Sequence, residues 1–120
     1  MKKRILVVED QLDNRHILHD LLTNAGFDIV EAVNGEEAIA SAQASRPDLI
    51  LMDIQLPILD GYEATRRIKS DPDLKSIPII VVTSYALSGD EQKARVAGCD
   101  DYVAKPFSPR LLLAKIKEYV

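Results

Sequence analysis

Five positions in this 120-residue chain carry side chains whose types and spacing suit phosphoryl chemistry: Glu9, Asp10, Asp53, Thr83 and Lys105. Each stands at or just past the end of a short apolar run. Any one of them alone is more often a solvated loop residue or a helix cap. The conjunction of three acids, a hydroxyl and an amine is what calls for an explanation. Two like charges 4 Å apart repel by about 4 kcal/mol at an effective dielectric of 20. Carboxylates gathered at one point must therefore raise a pKa or recruit a cation. All the ligands on offer are oxygens, with no His or Cys nearby in sequence, a set that favours Mg²⁺, or Mn²⁺ in its place, over Zn²⁺. Mg²⁺ is held by one or two carboxylates, waters and phosphate oxygens. In such a site Asp53 can act as a carboxylate nucleophile. Lys105 and the cation can neutralise charge on phosphoryl oxygens, and the Thr83 hydroxyl can donate a hydrogen bond to one of them.

The elements that must position these residues alternate along the chain. Arg4 to Val8 is a short, continuous apolar run of the kind buried on both faces of a sheet. Residues 14–25 follow with apolar side chains at helical spacing, and Gly26 stops them. Asp28 to Ala32 is a second strand, and Asn34 caps a helix running to about Ala44. Asp48 to Met52 is a third strand, followed by a loop with Pro57 and Asp60-Gly61 and a helix ending near Ser70. Ile77 to Val82 is the most β-rich run, Ser88 caps the next helix, and Gly98 closes it. Asp101 to Ala104 is a short fifth strand, and Ser108-Pro109 opens the last helix as N-cap and first helical residue. Five strand-then-helix units predict an α/β fold, an open parallel sheet with helices on both faces. In such sheets ligands bind beyond the carboxyl ends of the strands, where the strand order reverses. All five candidate residues fall at that edge.

Composition narrows the reading. The net charge is −4, with 15 basic and 19 acidic residues, which disfavours nucleic acid and anionic membranes as partners. No apolar run reaches the roughly 18 residues of a membrane span, and no secretory signal is visible. A single cysteine, Cys99, excludes an intrachain disulfide framework. The expectation is a cytoplasmic single domain.

The segments Ile5-Leu6-Val7-Val8-Glu9-Asp10, Leu51-Met52-Asp53-Ile54-Gln55-Leu56-Pro57 with Asp60-Gly61, Val82-Thr83-Ser84 and Asp101-Tyr102-Val103-Ala104-Lys105-Pro106 resemble, over essentially the whole length, a receiver domain of two-component response regulators. These are the CheY-like superfamily, and the stretch from Gly89 to Cys99 is most similar to its stand-alone DivK-like and hybrid-kinase forms. The resemblance implies a flavodoxin-like (βα)5 fold with strand order 2-1-3-4-5, and a single receiver unit over 1–120 without an output domain. It implies that Asp53 accepts a phosphoryl group from a phosphohistidine on a sensor histidine kinase or histidine phosphotransfer protein. Asp10, Asp53 and the Gln55 backbone carbonyl would ligate Mg²⁺, with Glu9 holding a metal-bound water or ligating weakly. Lys105 would pair with Asp53 and then with the phosphoryl group. Thr83 would move toward the phosphoryl oxygen and Tyr102 would rotate inward behind it. Gln55 and Tyr85 would stand at positions that tune the acyl-phosphate lifetime, with Tyr85 reading equally as a solvent-facing aromatic, and the Lys105-Pro106 bond would be cis. The domain would catalyse its own phosphorylation and dephosphorylation and act as a signalling switch, not as an enzyme on a separate substrate. A downstream protein would read the helix 4, strand 5, helix 5 face.

Other readings compete. An aspartyl-phosphate phosphatase of the haloacid-dehalogenase type needs a second acid at position 55, where Gln55 stands. A flavin carrier needs a phosphate-cradling first loop, and Glu9-Asp10-Gln11-Leu12-Asp13 would repel a phosphate. A phosphorylation-independent partner-binding pseudo-receiver remains an alternative, as does a receiver cut from a hybrid histidine kinase. His16 and His19 lack a third ligand and read as surface residues. Cys99 reads as partly buried and unreactive beside Asp100-Asp101. Those two acids, like Asp71-Pro72-Asp73, read as solvated turns. Phe107 and Pro109 read equally as local packing or as part of a docking patch.

Overall fold

The computed structural model describes residues 2–83 and 90–120. Ten elements alternate: β1 (Arg4–Val8), α1 (Leu12–Asn24), β2 (Asp28–Ala32), α2 (Gly35–Ser45), β3 (Leu49–Met52), α3 (Gly61–Ser70), β4 (Ile79–Thr83), α4 (Asp90–Ala97), β5 (Asp101–Ala104) and α5 (Pro109–Tyr119). The strands form one parallel sheet in the order β2-β1-β3-β4-β5. Each predicted element is present. The first helix starts two residues earlier than its periodicity suggests, and the fourth strand starts at Ile79, not Ile77. Ile77 and Pro78 lie outside it, though the Pro78 carbonyl still accepts from the Ile50 N–H at 2.9 Å.

The strands alternate their side chains between two apolar layers. Leu6, Val8, Ile50, Met52, Ile79 and Val81 pack with Ala38, Ala42, Ala64, Ile68 and Ala94, so α2, α3 and α4 cover one face. Ile5, Val7, Leu49, Leu51, Ile80 and Val82 pack with Leu18, Leu22, Leu112 and Ile116, so α1 and α5 cover the other. Small alanines on the first face let three helices sit close, while leucine and isoleucine fill the second. Truncating one of these fully buried leucines to alanine typically costs about 2–5 kcal/mol.

Sequence-local chemistry sets the helix starts. Asn34 Oδ1 accepts from the Glu37 N–H at 2.8 Å, and Glu37 returns an oxygen to the Val33 N–H at 3.1 Å. Asp60 Oδ1 accepts from the Glu63 N–H at 2.9 Å. Ser108 caps α5 with Pro109 at its first turn. Gly26 and Gly98 take the positive φ values, 96° and 110°, that end α1 and α4. The Ser88 cap lies outside the described residues.

Register aligns the strand ends. Val8 pairs with Ala32 and with Met52, Met52 with Val81, and Thr83 with Ala104. Residues that follow these ends must therefore meet along one edge.

Candidate functional site

Two backbone bonds carry the ladder one residue past the strands and fix two of the acids. The Glu9 N–H donates to the Ala32 carbonyl at 3.0 Å, and the Asp53 N–H donates to the Val8 carbonyl at 3.1 Å. Carboxylate oxygens of Glu9, Asp10 and Asp53 lie within 4.8 Å of one another. Glu9 and Asp53 are buried, at 1% and 9% exposure, and Asp10 is half-buried at the mouth. Asp53 Oδ1 accepts from the Ile54 N–H at 2.7 Å and, more loosely, from the Gln55 N–H at 3.4 Å. None of the described residues donates to the Asp10 carboxylate. These are hard oxygen donors with one open member, and they fit Mg²⁺. Asp10 and Asp53 offer the freer oxygens.

Lys105 arrives from the far side of the sheet, just past β5. Its Nζ donates to Glu9 Oε1 at 2.5 Å and stands 3.6 Å from Asp53 Oδ2. The Asp53 pair expected from the sequence is thus present at ion-pair range only, and the shorter bond goes to Glu9. The Lys105-Pro106 peptide is cis, as expected. Gln55 is exposed beside the acids. Tyr102 is half-buried against the α2–α3–α4 layer. Thr83 ends β4 opposite Ala104, but its side chain, like Ser84 and Tyr85, lies outside what the structure describes.

Three residues, one at the site and two at the opposite end of β5, make contacts that the sequence does not announce. Gly61 lies so close under Asp53 that a Cβ there would stand 2.0 Å from the Asp53 carbonyl oxygen. The motif signals this glycine, but its contact partner is eight residues away and visible only in three dimensions. Asp100 is exposed at a bend, as expected, but it is also engaged. Its Oδ2 accepts from the Ile79 N–H and from Lys69 Nζ, both at 2.8 Å, and Lys69 also donates to the Lys75 and Ile77 carbonyls. Asp101 is likewise engaged, by Lys115 Nζ at 3.2 Å and Tyr119 Oη at 3.3 Å. His16 and His19 are exposed on α1.

Comparison with known proteins decides the family. Residues 5–117 match the response regulator receiver domain family. The chain is a response regulator receiver domain. It is 42% identical to the polar-differentiation response regulator DivK of Brucella anthropi, over 100% of this chain and 98% of that protein. The receiver domain of a sensor histidine kinase from Pseudomonas aeruginosa, described with a magnesium ion coordinated in its active site cleft, superposes with a TM-score of 0.93. The two are 38% identical, over 99% of this chain and 98% of the other. The chemotaxis protein CheY4 of Vibrio cholerae superposes with a TM-score of 0.92 at 28% identity, over the full length of both chains. The receiver's acid cluster therefore occupies the edge of a CheY-like fold. No helix among the described residues is long and apolar enough to cross a membrane.

Beside Lys105 the receiver has an apolar groove of about 320 Å³ between α1 and the β5–α5 loop, lined among others by Ile17, Leu18, Pro106 and Phe107. Phe107 is half-buried against the α1–α5 layer and Pro109 is exposed at the groove's end.

Proposed function

We propose that Asp53 of this receiver accepts a phosphoryl group from a phosphohistidine on a histidine kinase or phosphotransfer protein. The observation that carries this is the meeting of Asp53 with Glu9, Asp10 and Lys105 at one strand edge. Asp53 Oδ1 is tied by two backbone N–H groups, so Oδ2 is the oxygen assigned to attack. As the Asp53 O–P bond forms, the N–P bond to the donor histidine breaks and its electron pair stays on the imidazole. Lys105 Nζ is near enough to follow the phosphoryl oxygens and balance their charge. Asp10, Asp53 and the Gln55 backbone carbonyl would hold Mg²⁺, with Mn²⁺ as a substitute, and Glu9 would serve beside them. The bound ion would supply charge neutralisation at the phosphoryl oxygens. The same groups make the domain a catalyst of its own phosphorylation and, with water as acceptor, of its dephosphorylation.

The phosphodonor docks, on this reading, in the groove between α1 and the β5–α5 loop. Lys105 itself lines that groove, together with exposed Ile17. The added charge of about −1.5 to −2 on Asp53 is passed through Thr83 and Tyr102 to the α4–β5–α5 face, where a downstream protein reads it. Residues 1–120 act as one cytoplasmic signalling unit.

Intact-mass spectrometry with acetyl phosphate tests the acceptor. The expected result is a gain of one phosphoryl group with Mg²⁺, lost on chelation and absent in Asp53→Asn. Equal labelling of Asp53→Asn would overturn the assignment, and absence of both labelling and Mg²⁺ binding would favour a phosphorylation-independent adaptor. Ile17→Glu should slow transfer from radiolabelled histidine kinases while leaving acetyl phosphate labelling unchanged. Equal slowing of both would remove the groove from the docking route.

A further inference from the structure

Lys105 has two carboxylates within reach and is bound to the one that is not the acceptor. Its amine is 2.5 Å from Glu9 Oε1 and 3.6 Å from Asp53 Oδ2, and only the first is a hydrogen bond. Glu9 cannot follow the amine elsewhere, because it is fixed at every other polar group. Its Oε2 accepts from the Gln11 N–H at 3.2 Å, its carbonyl from Arg15 Nη1 at 3.0 Å, and its N–H donates to Ala32 at 3.0 Å. It is 1% exposed, whereas the Lys105 side chain is 14% exposed on a long flexible stem. The fixed partner is therefore the acid and the movable one is the amine.

We propose that Glu9 is a positioning residue for Lys105. It holds the amine off Asp53, so that the acceptor carboxylate stays open to a cation and to the incoming phosphoryl group, and it releases the amine when phosphoryl oxygens arrive as stronger acceptors. This rests on the reading of the edge as a Mg²⁺ and phosphoryl site. It gives Glu9 a task other than holding the metal or its water. Side-chain length is the operative property. An aspartate at position 9 keeps the charge but is shorter by one C–C bond, about 1.5 Å, and so loses its reach to Lys105. The amine then transfers to Asp53, where Mg²⁺ must displace it.

The test is Mg²⁺ affinity, by calorimetry at fixed ionic strength, in the wild type, Glu9→Asp, Lys105→Met and the double variant. Amide NMR spectra confirm that each is folded. Glu9→Asp should weaken Mg²⁺ binding about threefold or more, the coupling expected of groups in contact. The loss should vanish in the Lys105→Met background. The Lys105 side-chain amine resonance should shift in Glu9→Asp before any metal is added. The same loss in both backgrounds would mean that Glu9 acts on the metal directly and would overturn the proposal, as would no loss at all. Failure of the wild type to bind Mg²⁺ would instead remove the site reading on which the proposal stands.

Discussion

At the scale of single residues, two buried groups outside the acid cluster make sharp predictions. Cys99 is 8% exposed, and burial pushes its thiol up to about 11, with Asp100 and Asp101 adding to the effect and Arg95 opposing it. The nucleophile is the thiolate, so the native protein at pH 8 should react with a disulfide reagent far more slowly than the urea-unfolded chain. Equal rates would show that the thiol is accessible. Thr65 is fully buried on α3, and its Oγ1 is the buried side-chain polar atom without a hydrogen-bond partner among the described residues. Thr65→Val keeps the β-branched shape and removes the unsatisfied hydroxyl. It should stabilise the fold by about 1 kcal/mol, seen as a higher urea midpoint. Neither property is written in the local sequence. A threonine in a helix is ordinarily an exposed or back-bonded residue, and only the packing of α3 under the sheet leaves this one dry.

Among elements, the β5–α5 junction shows how distant residues complete what local sequence begins. Ser108 and Pro109 announce the start of α5 from sequence alone, and Asn34, Asp60, Gly26 and Gly98 mark other helix ends as plainly. These signals are legible because cap and capped group lie within four residues of each other. The strap that ties α5 back to β5 spans fourteen and eighteen residues, through Lys115 and Tyr119 to Asp101, and no local pattern reveals it. Burial would raise the Asp101 pKa, but the Tyr102 N–H and Lys115 together outweigh it and hold the carboxyl below its ordinary value. A carboxyl depressed in the folded state contributes stability above its unfolded pKa of about 3.9, and that contribution disappears as pH falls through the folded value. Lys115→Met should therefore lower stability by roughly 0.5–1 kcal/mol at pH 7. The deficit should shrink below about pH 4, as urea unfolding at the two pH values would show. A deficit independent of pH would assign the loss to packing of the lysine stem. The pairing of Lys105 belongs to the same class. Sequence places Lys105, Glu9 and Asp53 at one edge, but which acid takes the amine depends on side-chain reach.

For the whole molecule, strand type, number and alternation were legible because β1, β3 and β4 are nearly pure apolar runs and amphipathic stretches separate the strands. Strand order came with the family resemblance, and the sheet bears it out. The contact that binds this architecture to the site is Gly61. A Cβ at that position would lie 2.0 Å from the Asp53 carbonyl oxygen and 2.7 Å from the Ile54 Cα, and the Gly61 N–H donates to the Ile54 carbonyl at 2.9 Å, so the start of α3 is held directly against the Asp53 backbone. Gly61→Ala should cost about 1–3 kcal/mol or more in stability and slow acetyl phosphate labelling even where the variant remains folded. Unchanged unfolding and labelling would show that the loop yields freely. The sheet order has a further consequence. Asp53 extends β3, which is hydrogen-bonded on both flanks, whereas Lys105 extends β5, a margin strand bonded only to β4. A displacement at Asp53 would be opposed by paired strands on both flanks, and one at Lys105 by a pairing on a single flank. β2 forms the opposite margin, so Asp53 stands on the doubly bonded midline of the sheet and Lys105 on one of its two singly bonded borders, and a phosphoryl group on Asp53 should displace that border more readily than the midline.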